Sequence, residues 1–385
     1  MKSLKNMLYP LSISLAMSAC VTKEKPQQDS ESKQNLYLLV GTYNSLSKSD
    51  TGIYVYRFDT LDASSKLRSA VTGVEDPSYL AVAPNEKNVY AVSEGAGDNA
   101  RVNAFSFDKK EGTLTFLNSE PAAGDHPCFI TVDPAGRMVV LANYTGGNVT
   151  VFGVGKEGRL SPLVQNFIFS GSGPDSLRQE KSHLHSTRFT PDGRFMFATD
   201  LGSDKVYKFA VSPEDSVLLA PGDPSYFAMQ PGNGPRHMDW HPNQKFYYVL
   251  NELSGTIDVF DYLDGNIVHK QSIEADSLHV KASADLHISP DGNYLYATNR
   301  KEGDGIAIFK INPEGLLTRV GYTKTGRHPR NFILTPDGKF LLLASRDDNR
   351  IEIYKVNAQN GQLTDTGKRI NVGAPVCLQF ISQSF

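Results

Sequence analysis

The sequence predicts an all-β protein: a seven-bladed β-propeller with four-stranded blades, its ring closed by a C-terminal inner strand in the first blade. Prolines recur at Pro84, Pro134, Pro191, Pro242, Pro290 and Pro336, separated by 50, 57, 51, 48 and 46 residues, each between two apolar strand-like runs. Nine residues past each comes a small polar residue (Ser93, Asn143, Asp200, Asn251, Asn299, Ser345), and ten past come Glu94, Tyr144, Leu201, Glu252, Arg300 and Arg346. The first unit is split. Leu36–Tyr43 and Gly52–Asp59 match second and third strands, and the missing first strand reappears as Val376–Ile381. A β-sandwich would also supply regular short strands, but neither fixed anchor spacing nor a split unit.

The elements follow in chain order. Residues 1–20 read as a lipoprotein signal peptide: Lys2 and Lys5 form a basic region, residues 7–17 are mildly apolar, and Met17-Ser18-Ala19-Cys20 resembles a bacterial lipobox with Cys20 as the lipidated residue. Residues 21–34 are polar and read as a flexible tether, and residues 35–385 as the propeller. First strands from Pro77, Pro127, Leu184, Pro235, Ser283, Pro329 and Pro375 give seven blades. The Pro-Asp-Gly turns at 191–193, 290–292 and 336–338 are hairpin turns, with Gly supplying positive φ and Asp capping the loop. Cys128 and Cys377 fall in blades that are not neighbours and read as buried free thiols.

With a formal net charge of −3 and no basic excess, the chain is not expected to bind nucleic acid. No apolar run is long enough for a spanning helix, so membrane contact is expected through the lipid anchor alone. No phosphate loop, dinucleotide fingerprint or nucleophile elbow is present in the sequence, and no cofactor is expected.

In a propeller the inner-strand starts and the second-strand ends meet at one end of the central channel. The stretch GPRHMDWHPNQKFYYVLNE, Gly234–Glu252, reads as a hairpin that brings Arg236 and Glu252 together at that end, with His237 and Asn251 beside them. The equivalent first-strand positions read Ser78, Cys128, His185, Arg236, Ala284, Arg330 and Val376, followed by Tyr79, Phe129, Ser186, His237, Asp285, Asn331 and Cys377. Second-strand ends supply Glu94, Tyr144, Glu252, Arg300 and Arg346, with Tyr43 as the first-blade equivalent. The long 57-residue interval leaves Ser170–Ser182, with Arg178 and Gln179, as a loop able to cover the channel mouth.

Each candidate has a structural alternative. Arg236 and Glu252 would also serve as an inter-strand salt bridge, and Arg330 as a charge bridging blades. Asp200 reads as a backbone anchor. His183 and His185, one residue apart on a strand, should point to opposite faces, so that only one lines the cavity. His-x-His also hints at metal, but no third ligand accompanies it, and no metal is expected.

Taken together, Gly41-Thr42-Tyr43, Pro77-Ser78-Tyr79-Leu80, Ala142-Asn143-Tyr144, His183-Leu184-His185, Asp200-Leu201-Gly202, Gly234-Pro235-Arg236-His237, Asn251-Glu252-Leu253, Thr298-Asn299-Arg300 and His328-Pro329-Arg330 resemble the lactonase family of seven-bladed propellers. That family includes the propeller-type 6-phosphogluconolactonase and a carboxymuconate-lactonizing enzyme. The resemblance covers about residues 36–381 and implies cofactor-free lactone chemistry at the channel mouth, that is, a carboxylic ester hydrolase. It departs at Ser182, where a Pro would be expected before the His pair.

The resemblance assigns Arg236, Glu252 and His185 (or His183) to catalysis, with Arg300 and Arg330 as further arginines. His183, His237, Tyr144 and Glu94 complete the substrate-binding set. Glu252 would activate water, or it would orient Arg236 and leave the base to His185, since a carboxylate beside an arginine is a weak base. The arginines would hold the oxyanion or an anionic substituent. An exported protein does not meet 6-phosphogluconolactone, so a sugar lactone or another carboxylated lactone fits the signal peptide better. The competing expectation is a non-catalytic exported propeller, a ligand-binding or interaction scaffold.

Overall fold

A computed structural model describes residues 35–213 and 217–383. The signal peptide, Cys20 and the tether lie outside the described residues. Seven four-stranded antiparallel sheets form the blades. In six of them the strands follow chain order outward from the channel; the first blade is composite, in the order 375–382, 35–42, 51–59, 64–72.

Burial follows that architecture. The second strands at 88–93, 138–143, 246–251, 294–299 and 340–345 are buried at every position, because a neighbouring blade covers both faces. Their sequences (VVLA, YYVL, LLLA) therefore run apolar without alternation. Outermost strands such as Ser64–Thr72 are mostly exposed. The Pro-Asp-Gly turns form as expected: Gly193, Gly292 and Gly338 have φ of +68°, +77° and +68°. Asp192, Asp291 and Asp337 each accept a hydrogen bond from the hydroxyl two residues before and from the backbone N–H two residues after.

Strand registers differ from simple alternation at one recurrent place. In six blades the pairing of the inner strand slips by one residue at its start, and the extra residue is Cys128, His185, Arg236, Ala284 or its neighbour Asp285, Arg330 or Val376. A bulged residue escapes the pleat, so its side chain is re-aimed. In the second blade regular pairing begins only at Leu80, three residues after Pro77. Every one of these bulges sits at the channel mouth.

Closure is carried by Pro375–Ser382 against Asn35–Thr42, with Leu36 opposite Ser382 and Val40 opposite Leu378. Val376, Leu378 and Ile381 are at most 1% exposed. Burying three such side chains contributes roughly 1.5–3 kcal/mol each, a sum comparable to the roughly 5–15 kcal/mol of a whole domain. Truncation after Ala374 is therefore expected to abolish cooperative unfolding in a calorimetric scan. A truncated protein that melts like the full chain would refute the closure.

Candidate active site

The site begins with a buried carboxylate. Glu252 directly follows the second strand of its blade and is 5% exposed. Its Oε2 lies 2.8 Å from Arg236 Nε, and its Oε1 lies 2.8 Å from Arg178 Nη2 and 3.0 Å from Arg300 Nη2. The hairpin thus makes the predicted Arg236–Glu252 pair and adds two more guanidinium groups. Burial opposes the charge on Glu252, but Arg300, Arg236 and Arg178 outweigh it and bring its pKa down to about 2.

The arginines are fixed on their far sides by backbone. Arg236 Nη1 donates to Ala284 O, and Arg300 Nε donates to Ala282 O at 2.9 Å. Gly234, at φ +61°, sets the approach of this chain segment: a Cβ there would lie 2.5 Å from Leu253 Cγ.

A second cluster faces the first. Tyr43 OH donates to Glu94 Oε2 at 2.8 Å and accepts from Arg330 Nη2 at 2.8 Å. The Arg330 guanidinium also lies over the Tyr43 ring, 5.2 Å from its centroid. Arg330 senses Tyr43, Glu94, Cys128 and Glu252, and so stands between the two clusters. Four arginines therefore converge on two carboxylates. The imbalance registers on Arg300, whose basicity is lowered by burial and by Arg236, Arg330 and Arg178 against the pull of Glu252. A guanidinium stays protonated at neutral pH, so this mouth carries uncompensated positive charge and favours an anion.

The imidazoles occupy three distinct positions. His183 precedes its strand, which begins at Leu184, and His185 is the bulged residue. Alternation therefore does not apply, and both rings meet Tyr144: His183 stacks on it at 4.5 Å and His185 meets it edge-on at 5.5 Å. This corrects the expectation of opposite faces. Both nitrogens of His183 are engaged, by Tyr144 O at 3.1 Å and Glu180 Oε1 at 3.0 Å. His185 is buried, with Nδ1 3.8 Å from Cys128 Sγ. Burial, Arg236, His237 and Arg330 keep its pKa well below the ordinary imidazole value. His237 lies deeper, 5.3 Å from the His185 ring, with Nδ1 2.6 Å from Asp285 Oδ1.

The loop over 170–182 reaches across the mouth as its length predicted. Arg178 Nη2 contacts Glu252 and also Tyr144 OH at 3.3 Å. Lys181 Nζ donates to Thr145 O at 2.6 Å, and Asp175 pairs with Lys281 at 2.8 Å on another blade. Asp200 is the expected backbone anchor beneath it, its Oδ1 accepting from the N–H groups of His183, Gly202 and Ser203. Gly202 is required there, since a Cβ would meet Lys181 O at 1.8 Å.

All nine predicted residues of the cavity thus belong to one connected arrangement: Glu252, Arg236, Arg300, Arg330, His185, Tyr144 and Glu94, with His183 stacked on Tyr144 and His237 beside His185. His183 serves as a stacking partner and His237 as part of the floor. Arg346 turns away to Asp347, at 2.6 Å. Sequence reasoning did not assign a site role to Arg178, Asp285 or Cys128. The excess length of the Arg178 loop was the one signal for it, and Asp285 and Cys128 were visible only as register positions. Cys128 and Cys377 are buried free thiols, as expected. Among the described residues, no cluster of three or more His, Cys, Asp or Glu is arranged to hold a metal. A separate groove lies at the opposite end, among the turns near Asn85 and Gly136, and contains none of these residues.

Comparison with known proteins matches this geometry to a family. The profile of the seven-bladed β-propeller lactonases matches residues 37–380. A 6-phosphogluconolactonase of Formosa agariphila is 34% identical over 90% of this chain and 100% of its own. One of Bacillus subtilis is 33% identical over 89% of this chain and 98% of its own. Among solved structures, a Bacteroides fragilis protein provisionally described as a 6-phosphogluconolactonase superposes with a TM-score of 0.88 at 44% identity, covering 93% of this chain and 100% of its own. A periplasmic gluconolactonase of Pseudomonas aeruginosa does so with a TM-score of 0.84 at 32% identity, covering 92% and 100%. The chain belongs to the lactonase family of seven-bladed β-propellers.

Proposed function

We propose that this lactone hydrolase, a carboxylic ester hydrolase of sugar metabolism, opens a sugar lactone or a similar anionic lactone at the channel mouth. The observation that carries the substrate class is the excess of four arginines over two carboxylates around one opening. Hydrolysis turns a neutral carbonyl into an oxyanion and then a carboxylate, and both gain from fixed guanidinium donors. The names of the relatives support a gluconolactone, with or without phosphate.

In this reading Glu252 is a positioning residue. Both of its oxygens are engaged by guanidinium groups, so it orients Arg178, Arg236 and Arg300 rather than abstracting a proton. Proton transfer then falls to the neutral imidazoles beside the cavity, His185 and His237. Arg330 contacts the substrate's anionic group. The competing scaffold reading predicts binding without turnover.

We also propose that the chain is exported and anchored through Cys20. The basic Lys2 and Lys5, the apolar stretch that follows and the lipobox-like residues support this, as does the periplasmic relative. The protein is expected in the membrane fraction, and Cys20→Ala should release it as a soluble species. Wild-type protein recovered in the cytosol with Met1 intact would return the phosphorylated lactone to first place.

Turnover of a lactone panel tests the activity. Glu252→Gln and Arg236→Ala should each lower kcat/KM by about 10² or more. Glu252→Gln should also lower the melting temperature, because the arginines lose a buried counter-ion, a loss worth roughly 3–5 kcal/mol. Arg330→Ala should act mainly on KM, while Asp337→Ala, in a turn at the far end, should leave the kinetics unchanged. Folded Glu252→Gln and Arg236→Ala proteins with wild-type rates would refute the assignment.

The pH profile follows from the same charges. An imidazole base works when neutral, so kcat/KM rises with pH through its pKa. With His185 held well below 6.5 and His237 at about 3, kcat/KM should stay flat from pH 8 to below pH 6. An acid limb centred at an ordinary histidine pKa would contradict the buried site.

A further inference from the structure

Beneath the arginines the channel narrows to a cavity lined by Ser78, Tyr79, Cys128, Arg236, His237, Arg330, Asn331 and Val376, with room for about one water molecule. Ser78 is 3% exposed, and its Oγ makes no hydrogen bond to any described residue. A buried hydroxyl without a partner costs about 1–3 kcal/mol unless something in the cavity satisfies it. A water there would meet Ser78 Oγ and the guanidinium groups of Arg236 and Arg330 along the walls.

His237 on the same wall is set up by a carboxylate below it. Asp285 is 1% exposed, and its Oδ2 accepts from Asn331 Nδ2 at 2.6 Å and from His287 Nε2 at 3.1 Å. Its Oδ1 accepts from Leu286 N at 3.1 Å. Burial works against its charge, but His287, His237 and these donors keep it ionised. An ionised carboxylate only accepts, so the contact of 2.6 Å to His237 Nδ1 places the proton on that nitrogen. Nε2 is left as the ring's lone pair. Among the described residues no carboxylate pairs with His185; its Nδ1 faces the Cys128 thiol.

We propose that this floor cavity binds the hydrolytic water, with His237 as its general base and Asp285 as the residue that positions His237. The inference rests on the lactone hydrolase reading above and specifies its nucleophile. The water oxygen bonds to the lactone carbonyl carbon as its proton passes to His237 Nε2. The carbonyl electron pair moves onto oxygen, facing Arg236. Collapse breaks the ring C–O bond, and the imidazolium returns its proton to the ring oxygen. The product is a hydroxy acid, whose own proton leaves to solvent. Burial, Arg236 and Arg188 hold His237 neutral before substrate binds, against the pull of Asp285. The oxyanion that develops against Arg236 offsets part of that effect, so the base strengthens as the bond to water forms.

The test uses the full chain and the lactone it turns over. His237→Gln is expected to lower kcat by about 10²–10⁴, with KM changed less than about threefold. Ser78→Val, which fills the cavity with a small apolar group, should lower kcat by about tenfold or more. A folded His237→Gln protein with kcat within about threefold of wild type would overturn the inference. The lactonase reading would then survive, and a large loss in His185→Gln would move the base there. A wild-type protein that turns over no lactone would instead end the functional reading, and the inference with it. Independently of any variant's folding, ¹⁵N-histidine spectra of the wild type should show His237 protonated at Nδ1 and bare at Nε2 across neutral pH. Asp285→Asn should disturb that signature, whereas an Nε2–H tautomer in the wild type would refute the base.

Discussion

The pairing of Asn35–Thr42 with Pro375–Ser382 is the constraint on which the remainder depends. Each blade packs its apolar faces on two neighbours, so an open ring would leave its two end blades each with an uncovered face. The second strands, buried along their whole length, are tolerable only in that closed state. Closure also fixes the diameter of the channel, and through it the distance between side chains from different blades. Tyr43 in the composite blade reaches both Glu94 and Arg330 because the two chain ends lie in one sheet.

Within that frame the inner-strand bulges do the chemical work. A regular strand would send alternate residues into the blade and away from the axis. One extra residue at the start of six inner strands releases Cys128, His185, Arg236, Arg330 and their equivalents from that alternation. The result is a ring of side chains at one level, with a second ring, containing His237, Asp285 and Asn331, immediately below. The upper ring holds charge, and in the lower ring Asp285 ties His237 to Asn331 through hydrogen bonds.

The electrostatics distinguish a site from a structural salt bridge. A single buried Arg–Glu pair can be nearly neutral for stability and needs no ligand. Here one carboxylate is shared by three guanidinium groups, and a fourth stands opposite with Tyr43 and Glu94. Like charges held this close destabilise the free protein slightly and reward an incoming anion. Glu252 then reads as the keystone of an anion-binding array, which agrees with the lactone chemistry of the family.

The fold was legible in the sequence because its causes are local and repeated. Prolines before turns, apolar runs and the split first unit are properties of short segments, and their spacing fixes the blade count. The pairing of Arg236 with Glu252 was legible for the same reason, being the open end of one hairpin. What lay beyond the sequence was set by contacts between blades. Arg178 joins Glu252 from a loop 74 residues away, and Asp285 meets His237 across a blade boundary. His183 and His185 fall against one tyrosine because a bulge cancels alternation, and a bulge has no residue signature of its own here. The sequence determined which residues stand at the mouth; only ring closure and the bulges decided which of them touch, since both are properties of seven sheets packed together.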